Sequence, residues 1–420
     1  TTDAQGRTSR RSSAADATAE WVLTPAASGP QLLSLWFVAD AAAAQRARLE
    51  VLGPFGTHTL TLDQRSHGRR WTPLGVFDLE PSTPVTVRLS SSGEGAPITF
   101  DAARLGSGRH TSNHRWWEMG ADTFAEREGA PSAVTAQGDV TTRPAYAEWQ
   151  GADAYLALHS NAAGVANSTA VGTSSYRYSC GTFDDHAADP PAAQCDDPVG
   201  SDRLQDAVHR KLIEQLRADW DPNWRDRGTR VANFGEVRGL EDMPGVLVES
   251  AFHDNVVLAA GSNLRMTENQ ALHDPRWRRA AALGMYKGLT EFLVGAVAPI
   301  VLSPPEALVA RRVDSTTVEL SFGVVPGATR YRVYVAQASR SFDQGTLTAQ
   351  PTLRLSGLTP EVPVAITVAS LNAAGEGLRS KVVVARPSAR RAQLLVVDAF
   401  EREDAWVQGI DNQRNTAHVQ

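Results

Sequence analysis

The sequence predicts a multidomain chain in which an α/β domain with a mainly parallel sheet accompanies two all-β modules. Residues 19–106 consist of short alternating apolar runs separated by turn residues. Residues 107–300 alternate short apolar runs with helical segments, and residues 301–387 return to strand-like runs. A chain of 420 residues is also longer than one hydrophobic core normally supports, which favours several domains.

The N-terminal part predicts a β-sandwich. Residues 1–18 lack periodicity and are interpreted as a linker or a truncated end. The strand-like runs that follow are 31–38, 47–52, 58–62, 75–79, 85–89 and 98–105. Turn residues separate these runs, as is typical of a sandwich.

The central part predicts strands that alternate with helices. Residues 154–158 and 245–248 are short apolar runs of the buried-strand type, whereas 116–128 and 275–293 have helical spacing. Ser201 is predicted to cap a further helix. One face of that helix carries the apolar residues Leu204, Val208, Leu212, Ile213 and Leu216.

The C-terminal part predicts a second sandwich. Its strand-like runs are 318–322, 331–335, 352–355, 364–370 and 381–385. Residues 388–420 hold one more apolar run, 394–400, and are interpreted as the unassigned start of a further segment. A lone strand cannot bury itself, so this run would need a neighbour.

Composition excludes two classes of partner. The formal net charge is −6 and the sequence has no basic run with interleaved aromatic residues, so we expect no nucleic-acid partner. No apolar stretch reaches the roughly 18–20 residues that cross a bilayer, so we expect no membrane span.

The two cysteines, Cys180 and Cys195, border a short polar segment. Their spacing and surroundings suit one disulfide, which would indicate an oxidising compartment. Two unrelated free thiols are the alternative. The cysteines do not have the spacing of a zinc pair.

Two ionisable residues stand at the ends of the central apolar runs. His159 follows the first run, and Glu249 follows the second. In open α/β sheets ligands bind beyond the carboxyl ends of strands, so an imidazole there is placed for a metal and a carboxylate for acid/base chemistry. Alternatively, His159 only bonds a loop, and Glu249 caps a loop or pairs with an arginine.

The segments around these residues resemble the zinc-dependent N-acetylmuramoyl-L-alanine amidases of bacterial cell walls. The segments are Leu158-His159-Ser160-Asn161-Ala162 and Leu247-Val248-Glu249-Ser250-Ala251-Phe252-His253-Asp254-Asn255. The resemblance implies that His159 is a ligand of Zn²⁺, that Glu249 is the catalytic acid/base, and that peptidoglycan or another cell-wall glycan is the partner. It further implies a secreted, periplasmic or cell-envelope location in a bacterium.

This chain departs from the family pattern upstream of His159. The family carries a further His and a Glu ligand after its first strand, and neither turn is found here. Glu118, His110 and His114 are the available substitutes, with Glu118 the alternative glutamate ligand. Residues 19–106 resemble a golvesin-like, xanthan-lyase-type carbohydrate-binding-like module, which in large secreted proteins interrupts the amidase-like domain. On that resemblance the missing ligands precede residue 1, and this chain alone is then expected to be an inactive part of the enzyme.

Residues 301–387 resemble a fibronectin type III module, so the resemblances together imply an amidase-like α/β domain, interrupted by one sandwich and followed by another. Three functions remain open. The first is hydrolysis of peptidoglycan amides. The second is cell-wall or glycan binding by a degenerate amidase fold without catalysis. The third is hydrolysis of another extracellular glycan or peptide.

Overall fold

The computed structural model describes residues 8–390, except 92, 94, 108–109, 113, 115–117, 137, 166–167, 179–197, 256–265 and 338–341. The predictions for Cys180, Cys195 and the run 394–400 therefore lie outside the described residues. The chain divides into two compact units. One unit contains the described residues up to Gln64, Thr72–Met119 and those from Val301 onward, and the other contains Arg65–Trp71 and Gly120–Ile300.

The first β-rich part of unit one is built from nine strands. They are β1 (Arg10–Ser12), β2 (Thr18–Leu23), β3 (Gly29–Trp36), β4 (Ala47–Gly53), β5 (Gly56–Leu62), β6 (Trp71–Leu79), β7 (Val85–Ser90), β8 (Ile98–Phe100) and β9 (Ala102–Ser107). They form a four-stranded sheet in the order β2-β7-β4-β5, a three-stranded sheet β6-β3-β9 and the pair β1-β8. Alternate residues of β3, β4 and β7, such as Leu33, Leu49 and Val87, fill one shared core.

The second β-rich part of unit one has eight strands. They are β14 (Val309–Arg312), β15 (Val318–Ser321), β16 (Arg330–Gln337), β17 (Thr346–Thr348), β18 (Thr352–Leu355), β19 (Val364–Asn372), β20 (Gly375–Arg379) and β21 (Val383–Ala385). One sheet has the order β14-β15-β18 and the other β17-β16-β19-β20, with β21 also paired to β19. Buried residues of both sheets, including Leu320, Val333 and Ile366, form the core. All five predicted runs contain strands, whereas β14, β17 and β20 were not predicted.

The α/β unit places its strands between helices. Its elements are α1 (Ala121–Glu128), α2 (Ser132–Thr135), α3 (Asp139–Gln150), β10 (Tyr155–Asn161), β11 (Thr173–Tyr178), α4 (Ser201–Asp219), β12 (Asp226–Ala232), α5 (Gly235–Arg238), β13 (Gly245–Phe252), α6 (Glu268–His273) and α7 (Pro275–Val294). The helix predicted over 116–128 begins only at Ala121, after Gly120 as its N-cap.

The sheet of this unit is mixed. Its strand order is β10-β13-β11-β12. β10 pairs with β13 and β11 pairs with β12 in parallel, whereas β11 and β13 are antiparallel. The prediction of a mainly parallel sheet thus fits two of the three pairings, and the central pairing departs from it.

Two apolar layers cover the two faces of the sheet. On one face, Val246 and Val248 of β13 pack with α4 and α7 through residues such as Leu212 and Ala280. On the other face, Ala157 and Leu247 pack against Val237, Leu240 and Met243 of α5 and the loop after it. Because successive residues of a strand point to opposite faces, this second layer also fixes the face on which residues 159 and 249 lie.

Ser201 does not cap α4 as predicted. The N-cap is Gly200, and Ser201 is the first helical residue. The Ser201 hydroxyl instead accepts a hydrogen bond from the Gly245 backbone N–H at 3.0 Å, which ties the helix start to the start of β13. The five apolar residues predicted for one face of α4 are all buried, so that part of the prediction is confirmed.

No helix in the described part of the chain is long and apolar enough to cross a membrane.

Candidate active site

Adjacent strands bring His159 and Glu249 together. They are register partners in the parallel β10–β13 pair, two residues beyond the partners Ala157 and Leu247. Both side chains therefore lie on the face that holds α5, where the apolar layer ends and polar side chains begin. The sequence predicted that the two strands end before these residues, whereas β10 continues to Asn161 and β13 to Phe252. The fold places His159 and Glu249 side by side.

Glu236 is the partner of His159. Its Oε1 lies 3.1 Å from His159 Nε2, and the two side chains are 11% and 28% exposed. This hydrogen bond is the main reason why the pKa of His159 lies above its ordinary value, and Glu249 adds to the effect. The same bond lowers the pKa of Glu236.

Glu249 is withdrawn from water. Burial raises the pKa of its carboxyl above the ordinary value, and the Glu236 carboxylate raises it further, while His159 and His253 lower it. One oxygen, Oε2, is buried and has no hydrogen-bond partner among the described residues. A carboxyl in such surroundings exchanges a proton closer to neutral pH than an exposed glutamate does, as acid/base catalysis requires.

A second imidazole stands close to the pair. His253, in the loop after β13, has its Nδ1 at 3.0 Å from the Ser160 hydroxyl of β10. A base beside Ser160 was not predictable, because Ser160 and His253 are far apart along the chain. Both side chains are exposed, which distinguishes them from the half-buried His159 and Glu249.

The carboxylates of Asp254 and Glu268 hold the loops that border this site. Asp254 Oδ2 accepts the backbone N–H groups of Ala163 and Gly164 at 2.9 and 3.0 Å, which links the loop after β13 to the loop after β10. Glu268 accepts the N–H groups of Gly172 and Phe252 at 2.5 and 2.8 Å. These bonds satisfy backbone donors that no strand partner reaches.

The alternative ligand candidates lie elsewhere in the chain. Glu118 belongs to the first unit, where its carboxylate is 3.9 Å from His114 Nδ1. His110 Nδ1 lies 2.9 Å from the Ser112 hydroxyl. Each of these three residues has a local partner in the structure.

The fit of this site to a metal ion is partial. Among the described residues, no group of three or more His, Cys, Asp or Glu side chains is placed to hold one. A catalytic zinc needs three protein ligands and an open position. At this site, His159 has the form of a metal-binding histidine, since a carboxylate holds one ring nitrogen and no described residue bonds the other.

Family comparisons place this site in a known kind of domain. Residues 120–291 match the N-acetylmuramoyl-L-alanine amidase family model. The matched segment contains His159, Glu236 and Glu249, and hence the whole polar end of the β10–β13 pair. Residues 1–107 match the model of the Golvesin C-terminal domain. Both resemblances found in the sequence are thereby confirmed. No curated protein matches the chain.

Solved structures similar to this chain include fibronectin domains. The chain is similar to the FN1–FN3 domains of chicken CNTN1, with 19% identity, a TM-score of 0.20 and coverage of 22% of this chain. It spans 32% of the length of that structure. The FN5 domain of Drosophila Lar has 22% identity, a TM-score of 0.19 and coverage of 21% and 98% of the two chains. The fn3 domain of human contactin 1 has 17% identity and a TM-score of 0.20, and the match covers 24% of this chain and 89% of that chain.

Glu236 was not predicted from the sequence as a residue of this site. It lies in a helix of only four residues, α5, which is too short to show a periodic pattern. A weak signal exists, because Val237, Leu240 and Met243 form an apolar series between β12 and β13. That series predicts a buried connection, and a glutamate at its start would then lie near the strand ends.

Proposed function

We propose that this chain carries the catalytic acid/base, Glu249, of an N-acetylmuramoyl-L-alanine amidase-like enzyme that hydrolyses peptidoglycan. The observation that carries the proposal is the half-buried Glu249 carboxyl, whose pKa burial raises and whose Oε2 has no described partner, beside His159. It lies in the segment that matches the amidase family. The substrate would place the protein outside the cytoplasm or in the cell envelope.

Glu249 would act on a proton twice. Its carboxylate accepts a proton from the water that attacks the carbonyl carbon of the amide between the lactyl group and L-alanine. The protonated carboxyl then returns that proton to the amine nitrogen as the C–N bond breaks. The products are a carboxylate on the sugar and a free amino group on the peptide. Burial assists the second step, because it favours the protonated form of Glu249.

We further propose that His159 is one ligand of a zinc ion. The resemblance implies zinc, and the imidazole of His159 fits the requirement for one nitrogen donor. The remaining ligands are not assigned to any described residue. When bound, zinc supplies a Lewis acid that makes water more acidic and polarises the carbonyl group.

The catalytic proposal is tested by the release of soluble fragments from labelled peptidoglycan. We expect Glu249→Gln to lower the rate by about 10²-fold or more, since the amide cannot take up the proton. Glu241→Gln is the matched control, because Glu241 is exposed and lies in the connection that leads to β13. Equal rates for the wild-type protein and Glu249→Gln would overturn the role of Glu249.

The zinc proposal is tested by elemental analysis of this chain and of an N-terminally extended form. We expect about one zinc per chain in the extended form, and its loss in His159→Gln, if the catalytic site follows the usual three-ligand rule. Zinc that remains after His159→Gln would show that the ligands lie elsewhere.

One observation favours a second function, cell-wall or glycan binding without catalysis. No cluster of three possible metal ligands occurs in the described ranges of the chain. A binding protein of this kind would pull down with peptidoglycan without cleaving it. It would also contain no zinc in either form, and Glu249→Gln would leave its binding unchanged.

A further inference from the structure

We propose that Glu236 is a positioning residue that holds His159 by Nε2 and leaves Nδ1 as the ring nitrogen for a ligand or substrate. The contact that carries this inference joins Glu236 Oε1 and His159 Nε2 at 3.1 Å. The inference concerns the proposed site but can be tested without catalysis. Only the predicted effect of Glu236 on turnover rests on the proposed function.

Packing fixes where Glu236 lies. Val237, next to it in α5, is completely buried. It packs in one cluster with Ala157 and Leu247, the residues two positions before His159 and Glu249. The apolar contacts that seat α5 on the sheet therefore deliver Glu236 to the polar end of the same face. A glutamate on an exposed loop would lose more side-chain entropy on making this bond.

The chemistry of a carboxylate decides the state of the ring. An ionised carboxylate is an acceptor only, so the nitrogen that faces Glu236 carries the proton. In a neutral imidazole the other nitrogen, Nδ1, then bears the lone pair. No described residue bonds Nδ1 of His159, whereas every described contact of the ring nitrogens goes to Glu236.

Glu249 does not replace Glu236 in this function. Glu249 is the register neighbour of His159, yet its Oε2 has no described partner, and its effect on His159 is one of charge. The two carboxylates thus have separate tasks. Glu236 bonds and orients the imidazole, and Glu249 stays available for proton transfer. This division explains why one site contains two acidic residues so close to one histidine.

The test is NMR of the full chain with ¹⁵N-labelled histidine, at a pH where the imidazole is neutral. The chain has ten histidines, and His159→Gln identifies the resonances of His159. We expect a slowly exchanging proton on Nε2 and a lone pair on Nδ1 in the wild-type protein. Glu236→Ala should lose the slow exchange, and Glu236→Gln should retain it, because the glutamine side-chain oxygen still accepts a hydrogen bond. Glu241→Ala, at an exposed site nearby, should change nothing.

Each outcome decides the inference. A proton on Nδ1 in the wild-type protein, or slow exchange that survives Glu236→Ala, overturns it. If turnover occurs, we expect Glu236→Ala to lower kcat by about 10–100-fold, with partial rescue in Glu236→Gln. If the wild-type protein does not hydrolyse peptidoglycan, the proposed function fails, while the NMR result still decides whether Glu236 holds His159.

Discussion

At the scale of single residues, the site depends on carboxyl groups in three different environments. Glu236 bonds an imidazole and has a lowered pKa, Glu249 is half-buried with a raised pKa, and Glu268 is almost completely buried. The same functional group thus serves as an anchor for a histidine, as a proton carrier and as an acceptor for backbone groups. The burial of each carboxyl group and its bonding partners, rather than the residue type, decide which of these functions it serves.

Glu268 makes the stability of the α/β unit depend on pH. Burial raises its pKa to about 7, although its bonds to Phe252 and Gly172 oppose the shift. An unfolded glutamate titrates near pH 4.3, so the folded protein binds the extra proton between about pH 4.5 and 7. The stabilisation from that proton is complete below about pH 4.5 and is lost as the pH rises through 7.

Urea unfolding at pH 5 and pH 8 measures this effect. We expect the unfolding free energy of the wild-type protein to fall between these pH values by about 2–3 kcal/mol more than that of Glu268→Gln, which cannot titrate. Glu241→Gln, an exposed control, should behave as the wild-type protein does. Identical pH dependence in Glu268→Gln and the wild-type protein would show that Glu268 titrates normally.

At the scale of elements, the helices α4 and α7 pack closely together on one face of the sheet. A Cβ atom at Gly288 of α7 would stand 2.4 Å from Val208 Cα and 2.6 Å from the Ala207 carbonyl oxygen of α4. At Gly284, one turn earlier, it would stand 2.7 Å from Leu212 Cα. These glycines allow α4 and α7 to pack backbone to backbone, and α4 in turn holds the start of β13 through Ser201.

Gly288→Ala should therefore destabilise the protein. Alanine favours a helix over glycine by about 1 kcal/mol, but the methyl group forces the helices apart, at a net cost of about 1–3 kcal/mol. Urea unfolding measures the change. Ala282→Gly is the control in the same helix, since Ala282 is exposed and should show only the loss of helix propensity, about 1 kcal/mol. A Gly288→Ala protein more stable than the wild type would contradict this packing.

Individual strands and helices were easier to predict from the sequence than the pairings between them. The apolar runs that become β10 and β13 and the apolar face of α4 were predictable, because each is a property of neighbouring residues. The antiparallel contact between β11 and β13 was not, because strand order depends on residues distant in sequence. The Ser201 hydroxyl was assigned to its own helix for the same reason, although it bonds Gly245.

At the scale of the whole molecule, the sequence predicted the site in part. His159 and Glu249 each follow an apolar run in the sequence, and the family segments around them are continuous, so both could be identified. Glu236, Ser160 with His253, and the loop contacts of Asp254 join segments that only the fold brings together. The domain boundaries at 18, 106, 300 and 387 remain predictions. Residues 1–107 and 120–291 match two different family models, so one chain contains two different modules.

The identity of the bond cleaved in purified peptidoglycan distinguishes amide hydrolysis from cleavage of the glycan chain. N-terminal analysis detects free L-alanine amino groups, and a reducing-sugar assay detects cleavage of the glycan chain. We expect new alanine termini without new reducing ends for the wild-type protein. We expect neither product for Glu249→Gln. New reducing ends, or alanine termini that persist in Glu249→Gln, would contradict amide hydrolysis with Glu249 as the acid/base.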